Sequence, residues 1–249
     1  MSDLTPSTLS ARRAFFTQAG AGVALLALAP GVRLVDLAMA RTDDQPVSAE
    51  QRWGLLIDTT KCQSGCNECV SACNEEHGLV GHDRPTTDAQ WIRKVDLKDE
   101  QNGRELSIPL PCQHCEDPPC VDVCPTGASF RRADGVVLVD KHICIGCRYC
   151  MMACPFQARS FIHEELTGQK TYSPRGKGTV ESCTLCVHRI DEDRQPACVE
   201  ACAAAGHHAL VFGDLHAADS PVSEAMRSTA TRELRPDLKL NTSVRYTRF

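Results

Sequence analysis

Sixteen cysteines set the chemistry open to this chain, and they fall into four groups of four. The first is Cys62, Cys66, Cys69 and Cys73 in KCQSGCNECVSAC. The second is Cys112, Cys115, Cys120 and Cys124 in PCQHCEDPPCVDVCP, and the third is Cys144, Cys147, Cys150 and Cys154 in ICIGCRYCMMACP. The fourth is Cys183, Cys186, Cys198 and Cys202 in SCTLCVHRIDEDRQPACVEAC. No cysteine stands outside a group. A cubane [4Fe–4S] core takes four thiolates. The spacing of Cys144, Cys147 and Cys150 lets one short loop reach three corners, so the fourth ligand must come from elsewhere. In two-cluster chains the last cysteine of a run ligates the other cluster, and a proline commonly follows it. Pro125 and Pro155 follow Cys124 and Cys154. Gly146 leaves room for backbone N–H groups to approach cluster sulfur.

Two other chemistries compete for the same cysteines. An even number in an exported chain suits a disulfide framework, and repeated C-x-x-C knuckles suit structural zinc. The Cys-Pro signatures favour iron–sulfur over both. No C-x-x-C is followed by His, so the chain is not a c-type cytochrome. It carries no Ser/His/Asp set, HExxH, P-loop, molybdopterin or flavin motif. Gly20-Ala21-Gly22 is not a dinucleotide loop, since no strand precedes it. The implied activity is electron relay rather than bond-making catalysis. The formal charge of −5, with 27 basic and 32 acidic residues, provides no large basic patch, and nucleic acid is excluded as a partner. Aromatic residues make up only 5%, lean for a conventional core of this size, so something else organises the fold.

The elements that must position these groups follow from local patterning. GLLIDTTKC at 54–62 echoes VVLVDKHIC at 136–144: an aliphatic run, an Asp, then a cysteine loop. Strands are expected over 128–131, 159–162 and 209–212. Ala133-Asp134-Gly135 is a turn that joins the first of these to 136–139 as a hairpin. Short helices are expected over 69–73, 120–124, 150–154 and 198–202. Residues 74–111 read as an insertion with strands near 92–97 and 106–110, and 164–180 as a polar loop. The predicted class is α+β: two nested ferredoxin-like units with short strands and cluster-binding loops, an inserted small β region and an extended C-terminal tail. The double unit spans 41–219, with the inner unit at about 108–163, and the tail 220–249 wraps the surface or straps onto a partner.

The N-terminus reads as a targeting segment. Arg12 and Arg13 precede an apolar run, Ala19 to Ala29, that falls well short of the roughly 20 residues of a bilayer span. Ala38-Met39-Ala40 supplies a small-x-small cleavage pattern. With Phe15 and Phe16 following the arginines, residues 1–40 resemble a twin-arginine signal, although Thr17 stands where Lys is often found. That resemblance implies export of an already folded protein, with its clusters inserted in the cytoplasm, to the periplasm. No other segment is apolar enough to cross a membrane.

CQHCEDPPCVDVCPTGA, CIGCRYCMMACPF, CTLCVHRI…PACVEAC and ALVFGDL resemble the four-cluster electron-transfer subunits of the complex iron–sulfur oxidoreductase superfamily. This group includes the polysulfide-, tetrathionate- and nitrite-reductase-associated ferredoxin-like proteins. Within it, the signal, the size and WGLLIDTTKCQSGCNECVSACNEEHGL are most similar to the periplasmic iron–sulfur subunits of DsrMKJOP-type membrane complexes of sulfur metabolism. The resemblance covers about residues 53–215 and implies four [4Fe–4S] clusters. Cys112, Cys115 and Cys120 with Cys154 would hold one inner cluster, and Cys144, Cys147 and Cys150 with Cys124 the other. Cys62, Cys66 and Cys69 with Cys202 would hold one outer cluster, and Cys183, Cys186 and Cys198 with Cys73 the last. Two departures touch the outer pair: three residues separate Cys62 from Cys66, and Ala203 stands where proline commonly follows. The resemblance also implies an NrfD-type integral membrane subunit, a periplasmic c-type cytochrome and other redox subunits as partners. Lys61, Lys141, Arg148 and Arg189 lie beside ligands and would raise cluster potentials if turned inward, and His114 could donate to cluster sulfur. His207 and His208 form an adjacent pair without a third ligand.

Overall fold

The computed structural model describes residues 46–103 and 105–247; the expected signal segment, 1–40, lies outside them. The described chain is a mixed α/β unit organised around one four-stranded sheet. Its central strand, β1 (Trp53–Asp58), is aliphatic on both faces: Leu55, Leu56 and Ile57 are all buried, as expected for a strand covered on two sides. It pairs antiparallel with β8 (Leu210–Asp214) and parallel with β10 (Val244–Thr247), and β9 (Thr231–Arg232) closes the far edge in the order β8-β1-β10-β9.

The extended tail is therefore corrected. Within the expected tail, residues 244–247 form an interior strand of the main sheet. Val244 and Tyr246 are fully buried and alternate with half-exposed Arg245, a period-2 pattern only four residues long and too short to stand out beside the cysteine motifs. Before β10 the chain crosses the second cysteine group: Ser243 N–H donates to the Gln113 carbonyl at 2.9 Å, and Glu116 N–H to that of Leu240 at 3.0 Å. The helix Pro221–Ser228 begins at an N-cap, where the Ser220 hydroxyl accepts from Ser223 N–H at 3.3 Å and Pro221 occupies the first turn. It packs against β8 and β1 through Val222.

Three two-stranded hairpins surround the sheet. The insertion forms β2 (Ile92–Lys98) with β3 (Glu105–Pro111). The turn at 133–135 joins β4 (Ser129–Arg131) to β5 (Val137–Val139), and Trp53 N–H donates to the Asp134 carbonyl at 3.1 Å, tying this hairpin to β1. The third hairpin pairs β6 (Ser160–Phe161) with β7 (Val180–Glu181). In chain order the helices are α1 (Glu68–His77), α2 (Pro119–Asp122), α3 (Tyr149–Ala153), α4 (Val187–Ile190), α5 (Ala197–Ala204) and α6 (Pro221–Ser228). Each of α1, α2, α3 and α5 starts beside a cysteine group. α1 ends at Gly78, whose φ of 63° is the left-handed conformation glycine adopts without strain.

The expected polar loop at 164–180 does more than span a gap. Arg175 from it is buried and grips the fully buried Glu181 of β7 with two hydrogen bonds, at 2.9 and 2.7 Å. No helix among the described residues is long and apolar enough to cross a membrane.

Candidate iron–sulfur centres

All sixteen cysteines are free thiols, and they gather in four sets that mix the sequence groups. α1 carries Cys69 and Cys73 one turn apart, and α5 carries Cys198 and Cys202 likewise. The two helices pack together, so each contributes one cysteine to each of two neighbouring sets. Cys73, Cys183, Cys186 and Cys198, all buried, line one cavity beneath β1 and β8 with Leu55, Ile57 and Leu210. Burial raises the Cys73 thiol well above its ordinary range, and the thiols of Cys183, Cys198 and Cys186 push it the same way. In the adjacent set, burial pushes Cys69 up to about 12, reinforced by Cys62, Cys202 and Cys66. Lys94 of β2 clamps the Cys62–Cys66 loop, donating to the carbonyls of Gln63, at 2.8 Å, and Cys66.

The other two sets lie beside the hairpin β4–β5. Cys112, Cys115, Cys120 and Cys154 line a cavity with Phe156 and Arg159. Burial pushes Cys112 up to about 12, Cys120 adds to it, and Arg159 opposes. Cys124, Cys144, Cys147 and Cys150 line a third cavity, with Gly146 and Val180. Gly146 is required by geometry: its φ is 69°, and a Cβ there would collide with the Gly178 carbonyl oxygen. The room it provides is thus taken first by β7's leading loop.

The donor set fits a cationic inorganic core. Buried thiols that raise one another's pKa cannot all ionise unaided, and a metal core supplies the missing positive charge. Backbone N–H groups already point at sulfur, as they do around clusters: Ser129 to Cys124 at 3.3 Å, Ala158 to Cys154 at 3.4 Å and Ala209 to Cys202 at 3.3 Å. His114 is fully buried; its Nδ1 accepts from Val137 N–H at 3.0 Å, and its Nε2 has no partner. Burial, helped by Arg159, lowers its pKa to about 3, so it stays neutral.

The four cations beside ligands divide. Lys61 is turned outward, 3.6 Å from Asp58. Arg148 is exposed, lying over the Phe161 ring at 3.8 Å. Lys141 lies over Trp91 at 5.9 Å, and Cys144 is among the groups that act on its charge. Arg189 is buried but held by Glu76 and Glu200, at 3.0 and 2.6 Å. His207 and His208 belong to no set: among the described residues no three His, Cys, Asp or Glu groups converge on a single metal-ion position.

Two residues beside the cysteines escape a reading confined to chain neighbours of ligands. Arg159 donates to Cys120 Sγ at 3.1 Å. His77 places Nε2 3.4 Å from Cys186 Sγ while Nδ1 meets Ser173 Oγ at 2.9 Å. His77 is within reach of periodicity, because Cys69, Cys73 and His77 recur every four residues on one buried face of α1.

Residues 104–214 match the 4Fe-4S dicluster domain family. The chain is 38% identical to an Hdr-like menaquinol oxidoreductase iron–sulfur subunit 1 of Archaeoglobus fulgidus, with 97% of this chain and 99% of the relative covered. It is 35% identical to the B subunit of tetrathionate reductase from Salmonella typhimurium, over 92% of this chain and 84% of that one. It is 40% identical to the B subunit of sulfite dehydrogenase from Allochromatium vinosum, over 74% and 77%. The chain belongs to the 4Fe–4S ferredoxin-like iron–sulfur subunits of oxidoreductase complexes. It is an electron-transfer subunit that binds 4Fe–4S clusters.

Proposed function

We propose that this chain relays electrons through four [4Fe–4S] clusters, between a quinone-reactive NrfD-type membrane subunit and other redox subunits that include a periplasmic c-type cytochrome. The reading places it at the DsrO position of a DsrMKJOP-type complex of sulfur metabolism, exported by the twin-arginine route. The observation that carries it is the partition of sixteen cysteines into four sets of four, three of them lining separate cavities. Clusters supply reversible one-electron transfer when bound. The residues assigned as ligands are Cys62, Cys66, Cys69 and Cys202; Cys73, Cys183, Cys186 and Cys198; Cys112, Cys115, Cys120 and Cys154; and Cys124, Cys144, Cys147 and Cys150. In this reading two ferredoxin-like units are nested, the outer one built on α1 and α5 and the inner one on α2 and α3.

End-to-end similarity to a menaquinol oxidoreductase iron–sulfur protein supports the quinone-linked partner. The set containing Cys147, the one exposed cysteine of the sixteen, faces an apolar surface of Ile145, Tyr149 and Met152, 66%, 54% and 73% exposed, which suits a docked partner. Similarity to the tetrathionate reductase and sulfite dehydrogenase proteins favours a second reading, the relay subunit of a periplasmic molybdopterin enzyme. Affinity purification from mildly solubilised membranes, with metal analysis, separates the two. Co-purification with a multi-span membrane protein and a c-type cytochrome, at about sixteen iron per chain, supports the first reading. A large molybdenum subunit supports the second. Recovery alone, with zinc or without metal, overturns both. Replacing Arg12 and Arg13 with Lys tests the route: iron-loaded protein still reaching the periplasm overturns twin-arginine export.

A further inference from the structure

Four arginines are buried among the described residues: Arg52, Arg159, Arg175 and Arg189. Three have a carboxylate: Glu116 at 3.1 Å from Arg52, Glu181 at 2.7 Å from Arg175, and Glu76 and Glu200 on Arg189. Arg159, only 5% exposed, has none. Its Nη1 donates to Ser129 Oγ at 2.7 Å, its Nη2 to Cys120 Sγ at 3.1 Å, and its Nε has no partner. Neither Lys141, a cation from the loop after β5, nor the neutral His114 supplies a negative charge. A guanidinium does not deprotonate in a protein, and a buried, unpaired charge is strongly destabilising. Arg159 must therefore be offset by an anion absent from the carboxylate inventory.

The remaining neighbours supply that anion. The thiols acting on Arg159 are Cys120 first, then Cys112 and Cys150. Arg159 lines the cavity of the set that holds Cys112 and Cys120, and Cys150 of the other set is within hydrogen-bonding reach of it, so the guanidinium is flanked by both. Four thiolates around a 4Fe–4S core leave a net negative charge, and net charge is one of the terms that set a cluster's potential. We propose that Arg159 is the shared counter-ion of the two inner clusters and holds both of their reduction potentials up. The proposal rests on the ligand assignment above. A fixed cation between two sites that each become more negative on reduction makes both reductions easier, and the effect is strong because the pair is shielded from water.

The test uses the whole chain, purified without oxygen and loaded with iron. Signals lost in Cys115→Ser and in Cys147→Ser identify the two inner clusters by EPR. Arg159→Gln should keep its iron and lower both inner midpoints by at least tenfold in the reduction equilibrium, about 59 mV for a one-electron couple. The cluster bound by Cys120 should move more, and the outer signals should stay in place. Arg159→Lys should assemble and titrate close to the wild type. Unshifted inner midpoints in iron-loaded Arg159→Gln overturn the proposal, as does an equal shift of all signals. If Arg159→Gln fails to assemble, Arg159→Lys decides: failure there too assigns Arg159 a purely structural role and overturns the proposal. Zinc or no metal in the wild type overturns the ligand assignment instead, so the two failures are distinguishable.

Discussion

The set Cys73, Cys183, Cys186 and Cys198 and the set Cys124, Cys144, Cys147 and Cys150 use the same residue type in opposite surroundings. The first is wholly buried beneath the main sheet, and its members come from α1, the loop after β7 and α5. Its walls are the aliphatic side chains of β1 and β8. The second draws its members from neighbouring loops and short helices, and Cys147 is exposed among exposed Ile145, Tyr149 and Met152. In the proposed assignment, these surroundings give the two sets different roles. The buried set is part of the core and stabilises the sheet that encloses it. The exposed set is open to a partner and to solvent, at a lower cost to the rest of the fold.

Breaking one ligand in each set gives the largest contrast. Cys198→Ser should abolish its cluster and destabilise the whole protein, because thiolate ligation and folding are coupled where all four donors are buried. Soluble yield, iron content and melting temperature should all fall. Cys147→Ser should remove iron from one set while the melting temperature falls far less. Graded oxidation of the wild type should likewise bleach the Cys147 signal first and the Cys198 set later, as solvent access dictates. Equal losses in the two variants would erase the distinction.

The next effect concerns what holds the two regions together. Arg175 and Glu181 form a bidentate pair, with side chains 5% and 0% exposed, between the loop after β6 and β7. Arg175 also donates to the Gly78 carbonyl at 2.6 Å, joining that pair to the end of α1. Arg175→Met should cost about 3–5 kcal/mol, because it leaves a buried carboxylate uncompensated. The double variant Arg175→Met/Glu181→Leu should recover much of that loss in thermal unfolding.

The same comparison explains what can be read from sequence. The grouping of the inner sets is legible because their eight cysteines lie within 112–154, with prolines following the two that cross between cavities, Cys124 and Cys154. The hairpins β2–β3 and β4–β5 and the helices at the cysteines are legible from short-range patterns as well. The interior strand β10 is not. Its apolar pair, Val244 and Tyr246, makes sense only beside β1, a partner remote in sequence that sets Leu55 opposite Val244. Arg159 escapes for a similar reason: it is remote in sequence from Cys120, whose sulfur it meets only in the folded chain. A third prediction follows from β10. Tyr246 is fully buried; its hydroxyl donates to the Pro109 carbonyl at 3.2 Å and accepts from Gln113 Nε2 at 3.0 Å. Tyr246→Phe should destabilise by about 1–3 kcal/mol, measured by chemical denaturation, with iron content intact.

The smallest expected effect tests whether the buried set is tuned as well as enclosed. His77 is buried on the face of α1 that carries Cys69 and Cys73, and burial lowers its pKa to about 3, so the ring is neutral. A neutral imidazole has one donor and one acceptor nitrogen. When the Ser173 hydroxyl, 2.9 Å from Nδ1, donates there, the proton lies on Nε2 and points at Cys186 Sγ, 3.4 Å away. A hydrogen bond to ligand sulfur stabilises the more negative, reduced state and raises the potential. Ser173→Ala removes no contact with sulfur and leaves the ring in place against Trp91, at 4.2 Å between centroids. It frees the ring to adopt the other tautomer. If the tautomer matters, Ser173→Ala should lower the midpoint of the Cys186 cluster by a fraction of the shift produced by His77→Leu, with the Cys147 signal unmoved in both. If His77 only fills space, Ser173→Ala will leave every midpoint where it was.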